Sequence, residues 1–162
     1  MKLYGSEPQM MKNYRNDRKV MDYIAKPTDA GVNELYNQAT FFVQTSYHEG
    51  FCLPLLEAMA AGCPVICTDA HGNRDFSVDG KNCLMVKHDD PEDLKRQMVR
   101  ILRDEKLRNA LQKAGFDTVK AYRWPVIMER VEKFFEGVVA QPNQAYIKKV
   151  ILRAKKDLEK AA

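Results

Sequence analysis

Short apolar runs broken by polar, turn-forming segments occupy the first half of the chain, and long helix-periodic stretches occupy the second. Residues 40–46 run from Thr40 through Phe41-Phe42-Val43 and close on Gln44-Thr45-Ser46. That is the length and polarity of a buried strand whose far end reaches water. Glu49 lies just past that end, and Gly50 permits a tight turn. Pro54 suits the first helical position, where its missing N–H costs nothing. Good helix formers then run to Gly62, which can take the left-handed C-terminal position, and Pro64 blocks continuation. Residues 65–68 read as the next strand. The predicted unit is therefore strand, turn, two-turn helix, strand, with the first-turn amides opening towards the carboxyl end of a sheet, which makes an anion site.

The second half supplies scaffold. Asp90 is placed to cap a helix that begins at Pro91 and presents Leu94, Met98, Ile101 and Leu102 on one face. Gly115 and the Arg123-Trp124-Pro125 sequence are expected to divide the later helices, with Trp124 as a packing anchor. After Pro142, residues Ile147, Val150, Ile151, Ala154 and Leu158 recur at helical spacing among lysines and arginines, the pattern of a basic amphipathic helix.

Two carboxylates, Glu49 and Glu57, stand eight positions apart across the strand-to-helix turn. Each has an ordinary explanation. Glu57 in a first helical turn would stabilise the macrodipole by roughly 0.3–1 kcal/mol; Glu49 at a strand end would be solvated, and Gly50 would be turn chemistry. Their joint spacing points elsewhere. The stretch Glu49-Gly50-Phe51-Cys52-Leu53-Pro54-Leu55-Leu56-Glu57 is similar to the Glu-x7-Glu signature of retaining glycosyltransferases of the GT-B fold, in the large group 1 (family 4-like) set. Residues 34–39 resemble that family's preceding helix, residues 68–75 and 79–86 its next loop and strand, and residues 91–139 its C-terminal helical region, so the resemblance covers residues 1–139.

The resemblance implies an α/β fold, a Rossmann-like doubly wound parallel sheet belonging to the donor-binding domain. Residues 2–5, 19–23, 40–46, 64–68 and 82–86 would be its second to sixth strands, with the first missing. In the order 3-2-1-4-5-6 that strand lies mid-sheet, so nothing would join the first two strands here to the others, leaving unpaired edges. By the same resemblance Glu57 would bind the nucleotide's ribose hydroxyls and Glu49 would face the donor sugar as the catalytic residue. Gly50 and the amides of Phe51, Cys52 and Leu53 would meet sugar and diphosphate. His48 and His71 are possible further site residues. No metal or other cofactor is expected. Cys52 and Cys83 stand where the family usually has Gly, His71 where a second Gly is common, and Asp75 where Glu is usual; Cys52 is expected to restrict the donor sugar. The family's phosphate-gripping Arg and Lys, and its acceptor-holding N-terminal domain, lie outside this chain. It is therefore expected to be part of a longer enzyme and inactive alone, transferring a hexosyl group from a nucleoside-diphosphate sugar to a glycan or lipid-linked acceptor. The alternative is a nucleotide-binding or assembly module that kept the fold without the chemistry.

Composition changes this picture in one place. The 162 residues suit one domain with an ample core, here divided as residues 1–139 and a tail at 140–162. The net charge of +4 is matched by the tail alone, six basic residues against two acidic ones. Three occupants of that helix are open: the domain itself, the absent first domain, or anionic lipid at the inner face of a membrane, in keeping with a cytoplasmic location. Nucleic acid is not expected, since no aromatic-studded basic motif accompanies the charge. The four cysteines form no Cys-x2-Cys pair and are expected as buried free thiols; the three histidines lack ligand spacing.

Overall fold

The computed structural model describes residues 2–5, 22–140 and 144–161. They divide into two compact units, Met1–Val119 and Lys120–Ala162.

The first unit is a parallel α/β arrangement. Strands β1 (Lys2–Gly5) and β2 (Asp22–Ala25) pair in parallel from Lys2↔Asp22 to Gly5↔Ala25. Helix α1 (Asp29–Gln38) follows, its N-terminus capped by Thr28, whose hydroxyl accepts the Gly31 amide at 3.2 Å. Next come β3 (Phe42–Gln44), α2 (Leu53–Ala60), β4 (Val65–Thr68) and β5 (Leu84–Val86). These three strands form a parallel sheet with β4 at its centre. Helices α3 (Pro91–Arg103) and α4 (Glu105–Val119) complete the unit. Every residue of β4 is buried. Because side chains alternate across a strand, both faces of the sheet are covered, as in a Rossmann-like doubly wound domain. Ile66, Leu84 and Val86 meet Ile101 of α3 and Leu111 of α4 on one face, with Phe41, Val43, Leu94 and Met98 packed around them.

Local chemistry explains the element ends. At the end of α2 the Gly62 amide donates to Met59 O at 3.1 Å and the Cys63 amide to Ala58 O at 2.8 Å, with Gly62 at φ +73°. This crossed pair of bonds is a Schellman closure, which needs the left-handed residue that Gly supplies. Asp90 accepts the Asp93 amide at 2.8 Å at the start of α3, with Pro91 at the first helical position.

Several expectations are corrected. Pro54 occupies the second helical position, because Leu53 already has helical geometry. Glu57 lies in the second turn, too far along α2 for the macrodipole explanation. Strand β3 is shorter than residues 40–46, and residues 19–21 lie outside the described residues while β2 runs on to Ala25. Leu102 is exposed, since it is turned about 80° from the Leu94–Met98–Ile101 face at 100° per residue. Gly115 does not divide helices but lies inside α4, where a Cβ would meet Met59 Cγ at 3.1 Å: it is the contact point of α2 and α4. Among the described residues no strand joins β2 to β3.

The second unit holds a 3-10 turn (Lys120–Tyr122), α5 (Trp124–Ala140) and α6 (Gln144–Ala161). Trp124 is 76% exposed, so it is not the packing anchor expected of it. Ile147 and Ile151 of α6 are also exposed. Among the described residues no helix is long and apolar enough to cross a membrane.

Candidate functional site

The loops leaving β3 and β4 are laced together at the carboxyl end of the sheet. Asn73, fully buried, clamps the second loop from inside: Nδ2 donates to Thr68 O at 2.9 Å and Oδ1 accepts the Ala70 amide at 3.0 Å. Ala70 O in turn accepts the Glu49 amide at 2.9 Å, and Glu49 forms a parallel bridge with His71. Gly72 completes the joint. A Cβ there would lie 2.4 Å from Glu49 O and 2.6 Å from Gly50 C, so only glycine lets the two loops approach this closely.

The Glu49 side chain is held as firmly as its backbone. Its Oε1 accepts from Gln44 Nε2 at 2.8 Å and from Ser46 Oγ at 2.7 Å. The Gln44 amide cannot be turned over, because its oxygen would then face the carboxylate. Gln44 Oε1 is consequently left buried and unpaired, a cost of about 1–3 kcal/mol accepted to fix Glu49. Ser46 is steadied in turn by Thr68 Oγ1, which donates to its carbonyl at 2.6 Å. Gln44 and Ser46 were named in sequence only as the polar end of a strand; that polar end was the available signal.

Helix α2 opens without a side-chain cap. Its N-cap is Cys52, in the left-handed region at φ 66° and ψ 45°, with no oxygen to offer the first-turn amides. The Cys52 side chain is buried, and its thiol is pushed up to about 11 by burial first and by the charges of Glu49 and Cys67 next. It is therefore turned in beneath the loop and away from solvent. Burial likewise pushes the Cys63 thiol up to about 11, and all four cysteines are free and buried. Gly50 needs neither a positive φ nor space: an added Cβ would meet no atom within 4 Å. Phe51 packs edge-on to Phe76 at 5.6 Å, and Leu53 is exposed.

Glu57 is exposed, and its Oε2 accepts a long 3.4 Å bond from the hydroxyl of buried Tyr36 on α1. His48 and His71 stack at 5.0 Å with planes 23° apart, both exposed above the joint of the two loops. The fold thus gathers Glu49, Gly50, Cys52, His48 and His71 around one joint, and hangs Glu57 from the following helix. Asp75 is exposed in the loop after His71. Asp69 and Arg74 form a two-pronged ion pair at 2.8 and 3.0 Å that braces this loop, and the Arg74 guanidinium holds the Asp69 carboxyl below its usual range.

The non-glycine residues with positive φ are Lys26 (46°), Cys52 (66°), His71 (61°) and Asp89 (55°) among the described residues. They fall on the four segments leaving β2, β3, β4 and β5. Each costs about 1 kcal/mol or more of backbone strain, and such strain concentrates at functional edges. In parallel α/β sheets the carboxyl edge is where ligands bind. Among the described residues no three His, Cys, Asp or Glu side chains are gathered so as to hold a metal.

The chain matches the family described as Glycosyl transferases group 1 over residues 6–118, and it belongs to that family. It is 28% identical over 122 residues to an uncharacterized glycosyltransferase of Methanocaldococcus jannaschii, covering 75% of this chain and 35% of that one. To a phosphatidyl-myo-inositol mannosyltransferase of Mycobacterium leprae it is 26% identical over 144 residues, covering 88% and 38%. It spans little more than a third of the length of these relatives. Among solved structures, the C-terminal domain of a glycosyl transferase group 1 family protein from Francisella tularensis superposes with a TM-score of 0.60 at 30% identity, covering 72% of this chain and 60% of that one. Sucrose-phosphate synthase from Thermosynechococcus elongatus superposes with a TM-score of 0.74 at 27% identity, covering 86% and 38%. The fold is that of the GT-B glycosyltransferases.

Proposed function

We propose that the chain forms the donor-nucleotide side of a retaining glycosyltransferase that moves a hexosyl group from a nucleoside-diphosphate sugar to a glycan or lipid-linked acceptor. The observation that carries this is the pinned Glu49 beside the uncapped start of α2, with the exposed Glu57 carboxylate one turn further on. In this reading Glu57 accepts hydrogen bonds from the two ribose hydroxyls, a task suited to a carboxylate with two oxygens. The amides of Phe51, Cys52 and Leu53 meet the diphosphate, where the positive end of the helix stabilises the charge that grows on the departing nucleotide. Glu49, its rotamer fixed by Gln44 and Ser46, faces the donor sugar. Gly50 leaves open space for that sugar, which explains a glycine that neither conformation nor packing demands. Cys52 acts from beneath, through the shape of the loop, rather than by contact with the donor. The diphosphate is handled without a metal.

The acceptor, and the cations that grip the phosphates, come from segments outside this chain. The isolated chain accordingly binds nucleotide without transferring sugar. The basic face of α6, with Lys148, Lys149, Arg153 and Lys156, suits a cytoplasmic enzyme held at an anionic membrane surface. Calorimetric titration with UDP, GDP, ADP and dTDP tests the donor reading: one nucleotide binds, and Glu57→Ala weakens it. If no nucleotide binds even when the full-length enzyme is titrated, the chain is instead an assembly module.

A further inference from the structure

We propose that the cleft at the carboxyl ends of β3, β4 and β5 is a saccharide-binding subsite for a single pyranose ring, built from residues that touch no part of the donor in the reading above. The cavity measures about 280 Å³ and is lined by Thr45, Tyr47, Thr68, His88, Asp89 and Asp90 among others. That is close to the ~300 Å³ lower end of small-molecule pockets, the scale of a monosaccharide rather than a nucleotide.

All three strand exits build its wall. Tyr47, from the loop after β3, stacks on His88, from the loop after β5, with ring centroids 5.0 Å apart and planes within 9°. The Tyr47 hydroxyl donates to Asp89 Oδ1. His88 Nε2 lies 2.9 Å from the carbonyl of Asp69, in the loop after β4; since a carbonyl only accepts, Nε2 carries the proton. Asp89 holds this arrangement at a positive φ of 55°. Tyr47 is nevertheless 55% exposed although His88 covers one face, so much of the ring remains available.

The lining chemistry selects the ligand class. An aromatic face carries negative charge density that complements the C–H groups on one side of a pyranose ring. Around it lie groups of both kinds: the Asp89 and Asp90 carboxylates accept, Lys87 donates, and the Thr45 and Thr68 hydroxyls do either. Thr68 spends its proton on Ser46 O, and each Asp spends one oxygen, on Tyr47 or on the Asp93 amide, which leaves acceptor capacity among the lining residues. An anion would meet two carboxylates, a simple amine would leave Lys87 opposed, and a flat apolar ligand would strand them all. A ring bearing several hydroxyls, each both donor and acceptor, satisfies this set.

The test is a two-dimensional amide NMR titration of the full chain with methyl α-glucopyranoside and with maltose, beside parallel titrations with choline chloride and inorganic phosphate. The expected result is a saturable shift of amides 45–47, 68 and 87–90 with the sugars. Tyr47→Ala and Asp89→Asn weaken it by roughly tenfold or more, the scale of a lost hydrogen bond to a charged group. Tyr47→Phe keeps the platform and keeps measurable binding, and a dispersed spectrum shows that each variant is folded. Absence of a sugar-induced shift, shifts confined to residues 49–57, undiminished affinity in folded Tyr47→Ala, or binding of choline or phosphate in place of sugar would each overturn the proposal. The donor reading is monitored separately, on residues 49–57 with nucleotide, so either can fail without the other.

Discussion

At the residue scale, the candidate site depends less on its carboxylates than on the residues that leave them no freedom. Gly72 is the sharpest case, because the atoms an added Cβ would strike belong to the backbone of Glu49 and Gly50, which cannot rotate away. Gly72→Ala should destabilise the fold by about 1–3 kcal/mol, the usual cost of overpacking, and should displace Glu49. Urea denaturation measures the first effect, and titration with the nucleotide sugar, whose sugar Glu49 faces, measures the second. Asp93 offers a pH test. The Lys87 amide at 3.1 Å, foremost, and Arg96 hold its carboxyl below the usual range, against the opposing effect of burial. A depressed folded-state pKa contributes stability above the unfolded value of about 3.9 and loses it as pH falls through the folded value. Asp93→Asn should therefore be less stable than the parent by a constant margin at pH 5 to 7, a margin that closes below pH 4, read from urea midpoints across that range. The roles of Gln44, Ser46, Asn73 and Tyr36 were not legible in sequence. Each acts across a gap between elements, and spacing along a chain carries no record of which loops meet.

At the element scale, the turn-and-helix unit was legible because its signals are local: Gly62 closes α2, Asp90 caps α3, and apolar runs mark β3 to β5. Errors arose where a local signal was outvoted by packing. Gly115 reads as a helix breaker, yet it lies in mid-helix because α2 and α4 touch there, with Met59 Cβ only 3.3 Å from where its own Cβ would be. Gly115→Val should thus cost about 1–3 kcal/mol and lower the thermal midpoint, while the far-UV signal of the folded state keeps its helical form. A variant as stable as the parent would show that the two helices pack less closely than described. Trp124 erred in the opposite sense: a large aromatic suggests an anchor, but it opens α5 and is exposed.

At the scale of the whole molecule, two separate parallel sheets among the described residues and a length little over a third of that of its relatives frame what the chain can do. The strand, turn, helix and strand unit was legible as a pattern, whereas the doubly wound, GT-B-type architecture was implied by the resemblance of residues 49–57 to a known family. What the carboxyl edge looks like was not legible, since the cleft of Tyr47, Thr68 and His88 combines three segments that are distant in sequence. In the donor reading this edge supplies nucleotide contacts and a fixed Glu49, but not the acceptor. Purified chain incubated with a nucleotide sugar and an acceptor glycan should therefore release no nucleotide above background, whereas measurable transfer would refute its dependence on further segments. The central claim, that Glu57 recognises the ribose diol, is tested most directly by comparing the nucleoside diphosphate that binds with its 2′,3′-dideoxy analogue, in the parent and in Glu57→Ala. Losing hydrogen bonds to a charged carboxylate should weaken parent binding roughly 10- to 100-fold and leave the variant indifferent to the missing hydroxyls. An equal loss in both proteins would contradict the account.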